Sequence, residues 1–289
     1  MANSIANALA YLNTKLDREY KAAAKSSSLD VNPAWVRAAD TAGTFYLPKL
    51  SMPGLGNVSG GVFPEGDVTQ TWDAYTYEYD RGRKIQIETV ENMEGALVAI
   101  ANAASEYMRL HVVPEIDAIR FARIAGKAGT RGTTGTITTS AAAIAATNAA
   151  LVDLADQEVD GDNLLFFATA SMLDLLDSAA STEKKARILN RVTPVEVPQG
   201  RFTDAVTLNA GATGSAGGFT ASGEDVNFIL MDKNAAFADA KHVAERCFPA
   251  NVNQAGDLWR WDYRVVHDCW VYTNKVKGIY VHKEAASVS

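Results

Sequence analysis

His267-Asp268-Cys269 sets three catalytic residue types side by side. A working triad holds its base between nucleophile and orienter, whereas the strand implied by Tyr263 to Tyr272 turns Asp268 away from its two neighbours. Asp156-Gln157-Glu158-Val159-Asp160-Gly161-Asp162 opens like a calcium loop, with oxygen donors at alternate positions and glycine sixth. The twelfth position of such a loop needs a bidentate Glu and here is Phe167, in an apolar run, so the segment reads as a solvated acidic turn. Gly54-Leu55-Gly56 and the Gly126 to Gly135 stretch lack the Gly-Lys-Ser/Thr ending that cradles a phosphate. His242 and His282 have no partner at ligand spacing, and His111 falls on a helix face. No catalytic, cofactor-binding or metal-ligating residue is expected, and no cofactor.

Composition narrows the function further. The 289 residues are 47% apolar and 21% charged, enough for one large or two modest cores. A formal net charge of −7 argues against a protein that grips nucleic-acid phosphates. The longest apolar runs, Ala141 to Ala146 and Val226 to Met231, fall well short of the ~20 residues of a membrane helix, so no membrane partner is expected. Ile5 to Leu12 has no basic residue before it and is followed by Lys15, Asp17, Arg18 and Glu19, an amphipathic arm rather than a signal peptide. Cys247 and Cys269, the only cysteines, lie in no paired motif, which fits a reducing cytosol.

Period and punctuation supply the elements. An Ala-rich helix from about Ser4 to Lys25 leads through Ser26-Ser27-Ser28 to an extended piece with Pro33 and Trp35. A strand from Thr44 to Leu50, a Gly/Pro-rich tip from Pro53 to Gly66 and a returning strand from Val68 to Tyr79 form a ribbon. Tyr75, Tyr77 and Tyr79 share one of its faces and Trp72, Ala74 and Thr76 the other. Neither face is wholly polar, so the ribbon must be buried against something: a neighbouring subunit, or the core of its own chain. After a turn at Asp80-Arg81-Gly82, Ile85 and Ile87 alternate with polar residues. Met93, Leu97, Ile100, Ala104, Tyr107 and Met108 then recur at helical spacing behind a cap at Thr89 or Asn92. Pro114 predicts a kink or a helix-to-helix joint, and Gly126 and Gly129 a stop. One bent rod from Glu91 to Ala125 would span about 50 Å at about 1.5 Å per residue. Beyond a Gly/Thr-rich boundary come a helix over Ala141 to Ala155, a buried strand over Leu164 to Ala168, a helix near Ser171 to Ala180, and strands over Val192 to Phe202 and Val226 to Met231.

The segment DRG with its alternating strand, followed by VVPEIDAIRFARIAG, resembles the spine-helix region of tailed-bacteriophage major capsid proteins of the Hong Kong ninety-seven-type fold. VNFILM, WRWDYRVVHD and VYTNKVKGIYVH are similar to that family's closing strands, with weaker likeness at Asn163 to Leu176 and Val192 to Phe202. The resemblance implies an α+β phage capsid fold: an N-terminal arm (1–40), an extended β-loop (41–80), a peripheral domain on the spine helix (81–134), an axial α/β domain (135–255) and C-terminal strands of the peripheral domain (256–289). It implies a structural protein, not an enzyme. The subunit would assemble through hexamers and pentamers into an icosahedral head around double-stranded DNA, bound without sequence specificity. It would reside in the virion after assembly in the host cytoplasm and meet a portal protein. With fewer than a hundred residues ahead of the spine helix, a separate scaffolding protein or none is expected, and a cement protein is a further possible partner. Trp72, Tyr75, Tyr77, Tyr79 and Arg81 are the expected inter-subunit contacts, and Pro114 the helix bend. The alternatives are an encapsulin-like cargo nanocompartment and, more remotely, a small-molecule enzyme using the glycine-rich loops.

Some members of that family cross-link through a lysine in the extended loop, but Ser51 to Arg83 contains none. An isopeptide bond needs an uncharged lysine amine beside a side-chain amide or carboxyl in a dry pocket, and Lys49 and Lys84 sit only at the roots of the ribbon. Denatured particles are expected to run on a gel as a single 30.9 kDa chain. A reductant-resistant ladder that disappears on mutating Lys49 or Lys84 would contradict this.

Overall fold

The computed structural model describes residues 24–30, 37–38, 43–58, 63–88, 104–159, 161, 164–179, 182–212, 216–253 and 256–285. Most of the expected arm helix, Pro33 and Trp35, the Thr89 or Asn92 cap, the helical positions Met93, Leu97 and Ile100, and Asp160 and Asp162 of the acidic turn lie outside them.

The strands in chain order are β1 (Arg37–Ala38), β2 (Thr44–Ser51), β3 (Thr69–Thr76), β4 (Tyr79–Glu88), β5 (Arg131–Thr134), β6 (Leu164–Ala168), β7 (Val192–Glu196), β8 (Thr203–Leu208), β9 (Phe219–Asp232), β10 (Ala236–Phe248), β11 (Leu258–Val271) and β12 (Ile279–Lys283). They form three sheets. β1-β2-β3 is the ribbon, β10-β11-β4 a long antiparallel sheet, and β5-β12-β9-β6-β7 a mixed sheet in which β8 also pairs with β9. The helices are α1 (Val113–Ala125), α2 (Ser140–Asp156), α3 (Ala170–Asp177) and α4 (Thr182–Leu189). This is a mixed α+β architecture.

The mixed sheet is buried on both faces, which is why Leu164-Leu165-Phe166-Phe167-Ala168 reads as an unbroken apolar run. Its even positions, with Phe228, Leu230 and Tyr280, pack beneath α2, α3 and α4. Its odd positions, with Ile229, Met231, Ile279 and Val281, pack against Phe121 and Ile124 of α1. Thr139 and Thr169 cap α2 and α3, their hydroxyls accepting from the N–H groups of Ala142 and Met172. At the other end of α2 the acidic turn begins as a helix stop. The Glu158 N–H donates to the Ala155 carbonyl and the Val159 N–H to the Leu154 carbonyl, with Glu158 left-handed at φ 60°.

The mixed sheet and the long sheet meet where the chain passes directly from β9 to β10, and α1 lies across the joint. Three charged residues of α1 are buried there. Asp117 accepts from the Lys25 and Ser26 N–H groups at 3.0 and 3.2 Å, from the Ser26 hydroxyl at 2.6 Å and from Arg201 Nη1 at 3.0 Å. Arg120 donates to the Ser26 carbonyl and pairs with Asp30 at 2.8 Å. Glu115 holds Arg81, which also donates to the carbonyls of Asn209 and Gly218. Such charges are tolerated only with their lone pairs and protons matched, so these bonds fix the N-terminal segment and β4 against the helix.

One expectation needs correction. Asp80-Arg81-Gly82 is not a turn but lies within β4, and the break after β3 begins three residues earlier, at Tyr77-Glu78. Gly82 is needed for contact rather than bending, since a Cβ there would sit 2.6 Å from the Tyr263 carbonyl oxygen on β11. At Pro114 the described part of the rod runs on. Residues 104–107 are α-helical, Met108–Val112 form a π turn, and Val113 keeps helical angles, its N–H reaching the Met108 carbonyl. The wide turn and the proline coincide, the combination at which long helices bend.

Candidate functional site

The ribbon is apolar at both ends, and only one end is covered. At its root Phe45 is 2% exposed and Leu47 is buried, both against Phe237 of β10. Trp270 of β11 meets Phe45 edge-on at 4.8 Å and Tyr77 at 5.0 Å, while Tyr272 lies 4.6 Å from Phe237. Polar bonds fix the same place: the Trp270 indole N–H donates to the Thr76 carbonyl at 3.2 Å, the Thr273 hydroxyl to Asp73 at 2.9 Å, and the Tyr77 hydroxyl to Asp239. Burial and the Asp239 carboxylate raise the Tyr77 phenol well above its ordinary range. At the far end Leu55 and Phe63 are 107% and 78% exposed, with Met52, Val58 and Val68 exposed beside them. Pro53 packs over Gly66 and Pro64 over Gly56, so the two runs of the tip lie side by side.

The root continues into a polar joint. Asp268 is fully buried and accepts from the N–H groups of Glu78 at 3.1 Å and Cys269 at 2.7 Å, with Arg123 Nε 3.2 Å from the oxygen that takes the Cys269 N–H. Burial raises its carboxyl, while the Cys269 N–H and Arg123 oppose that. Tyr79 stacks on His267 at 6.0 Å beneath the Arg123 guanidinium. Burial pushes the Cys269 thiol up to about 12, which leaves it inert. His267, 1% exposed, finds no hydrogen-bond partner for either ring nitrogen among the described residues, and burial pulls it down to about 3. The adjacent His-Asp-Cys trio therefore holds the ribbon to α1, and its members are not aligned for proton transfer.

Four of the five residues expected at a subunit contact are engaged inside the chain. Tyr75 and Tyr77 lie in the ring cluster, Tyr79 lies between His267 and Arg123, and Arg81 grips Glu115 through Nε at 2.5 Å and Nη2 at 3.2 Å. Trp72 keeps 43% of its surface. The period-two pattern grouped Tyr75 and Tyr77 on one face of the ribbon without marking it as the covered one. What covers it is this chain's own Phe237, Trp270 and Tyr272, for which the only sequence signal was their placement at strand ends. The exposed apolar side chains of the tip, Leu55 and Phe63 among them, are not among those five. Among the described residues no group of three or more His, Cys, Asp or Glu could hold a metal ion.

Solved structures share the fold. The chain aligns with the capsid of cyanophage P-SCSP1u at TM-score 0.60 and 12% identity, over 87% of this chain and 86% of that one. The mature capsid of bacteriophage PhiM1 gives TM-score 0.60 at 13% identity, over 87% and 85%. A virus-like particle from Pyrococcus furiosus gives 0.57 at 10%, over 94% and 97%. At these identities the likeness is one of fold: the chain has the Hong Kong ninety-seven-type capsid fold. No protein-family profile and no curated protein matches it.

His267 supplies a pH test of the joint. Between its ordinary value of 6.5 and its native value of about 3, the unfolded chain binds a proton that the folded chain refuses, so stability falls as pH falls. The slope approaches about 1.4 kcal/mol per pH unit. Asp268 acts oppositely, since its raised carboxyl takes a proton more readily when folded, so the comparison of variants is what isolates the ring. His267→Phe is expected to flatten the loss of melting temperature between pH 6.5 and 4.5. Parallel profiles for the two proteins would contradict the assignment.

Proposed function

With that fold as premise, we propose that the protein is the major capsid subunit of a tailed bacteriophage. It assembles through hexamers and pentamers into an icosahedral shell around double-stranded DNA, in the host cytoplasm, and resides in the virion. A portal protein is the partner this reading supplies, with a separate scaffolding protein or none, and a cement protein as an optional addition. The observation that carries it is the ribbon, anchored by rings at its root and bare at its tip. An exposed apolar patch at the end of a fastened projection is uneconomical on a monomer and fits a contact repeated around a closed assembly. Individually modest contacts suffice there, because many are made at once. The phage structures among the relatives support the viral reading. A net charge of −7 suits a wall that does not bind the genome it encloses.

The second reading is a cargo-holding nanocompartment, favoured by the likeness to the Pyrococcus furiosus virus-like particle over 94% of this chain. Purified particles containing host protein and no DNA would decide for it.

Removing 55–65 is expected to leave the circular dichroism of the subunit unchanged and to abolish particles in electron micrographs. The ring cluster that holds the root lies wholly outside the deletion. Particles formed in normal yield by the deleted chain would sink the role of the tip.

A further inference from the structure

The rod covers one face of the long sheet: Trp261, Tyr263 and Val265 of β11 pack against its Met108, Val112 and Ile116. The residues between them in β11 point to the other face. A trough of about 470 Å³ lies there, and every residue lining it belongs to β4, β10 or β11. Register sets Arg246, Asp262 and Lys84 in one row across the three strands, and Ala244, Arg264 and Gly82 in the next. Both carboxylates of this face already hold a guanidinium. Arg264 donates to Asp80 at 2.5 and 2.9 Å, and Arg260 to Asp262 at 2.5 and 2.7 Å. Lys84 and Arg246, both exposed, have no carboxylate partner among the described residues.

Solvation alone does not call for this excess. Opposite charges across strands stabilise an exposed sheet, and surplus charge of one sign does not. The two unpaired cations flank β11 at two strand spacings, about 10 Å between Cα atoms, and both side chains are long enough to meet over the trough. Gly82 and Ala244, on either side of Arg264, keep the neighbouring row low and leave room for a group between them. The chain as a whole carries a net charge of −7, so this face is opposite in sign to the molecule that bears it. What fits is an anionic group narrow enough to enter, as a carboxylate side chain is. Duplex DNA fits less well, because its affinity sums many phosphate contacts, each matched by a cation. Here Asp80 and Asp262 would stand against the phosphates. A twofold contact between copies, face to face, would oppose cation to cation.

We infer that the bare face of the long sheet docks an acidic segment of a separate protein, whose carboxylates enter the trough between Lys84 and Arg246. The face is distinct from the ribbon tip, so it and the shell reading can fail separately. A fluorescent hexaglutamate peptide, titrated into the wild-type protein and followed by anisotropy, is the test. Binding is expected at about 20 mM salt and should weaken roughly tenfold by about 200 mM, where the screening length falls below the separation of the two cations. Lys84→Gln/Arg246→Gln should lower the affinity about tenfold or more. The charge-conserving Lys84→Arg/Arg246→Lys should keep it. So should Lys233→Gln/Lys277→Gln, which removes the same charge from exposed lysines outside the trough. Equal losses in the two neutralised pairs would mean a net-charge effect and overturn the site. A wild-type protein that ignores the peptide would overturn it too, as would tighter binding of a duplex DNA through the same two residues. If Lys84→Gln/Arg246→Gln changes the sedimentation of the protein alone while peptide binding persists, the occupant is a second copy and the assignment is wrong.

Discussion

The ring cluster at the root of the ribbon is the contact on which the rest depends. A two-stranded ribbon is marginal by itself in water. Here Phe45, Tyr75 and Tyr77 meet Phe237, Trp270 and Tyr272, and each good aromatic pair contributes about 0.5 to 1.5 kcal/mol beyond the area it buries. Fastening one end so firmly lets the other carry exposed leucine, methionine and phenylalanine without collapsing onto the body. The cluster therefore sets both the direction of the projection and the location of the apolar surface it offers.

The body is built to hold that anchor still. β10 and β11, which carry the anchoring rings, belong to the long sheet, and α1 ties this sheet to the mixed one. Its buried Glu115 binds β4, while Asp117 and Arg120 together hold the N-terminal stretch, Asp117 at Lys25 and Ser26 and also at Arg201, Arg120 at Ser26 and Asp30. Matched buried charges of this kind are costly to break one partner at a time. They add specificity of placement where apolar packing alone would allow sliding. The His267-Asp268-Cys269 trio serves the same end, joining the ribbon to β11 and α1 through hydrogen bonds and stacking.

Much of this architecture was legible in the sequence because it rests on local period. The apolar run at Leu164 to Ala168, the alternation through Ile85 and Ile87 and the helical spacing after Glu115 each have a short-range cause, and each element formed where that cause placed it. Two failures were of long range. Nothing local marks Gly82 as the close approach to Tyr263, so an Asp-Arg-Gly triplet reads as a turn. Nothing near Tyr75 or Tyr77 says that Phe237, Trp270 and Tyr272, some 160 to 195 residues later, will cover them. The candidate contact was therefore legible as an element and illegible as a set of residues. Aromatic side chains drew attention, while the exposed apolar surface of the ribbon falls on the plainer tip.

An electron cryo-microscopy reconstruction of particles assembled from the wild-type chain tests the central claim most directly. The account predicts a closed icosahedral shell in which the rings of the root stay on their own subunit and residues 52–68 lie on a neighbour. A shell whose ribbons fold back onto their own subunits, or a protein that stays a small oligomer under every assembly condition, would contradict it.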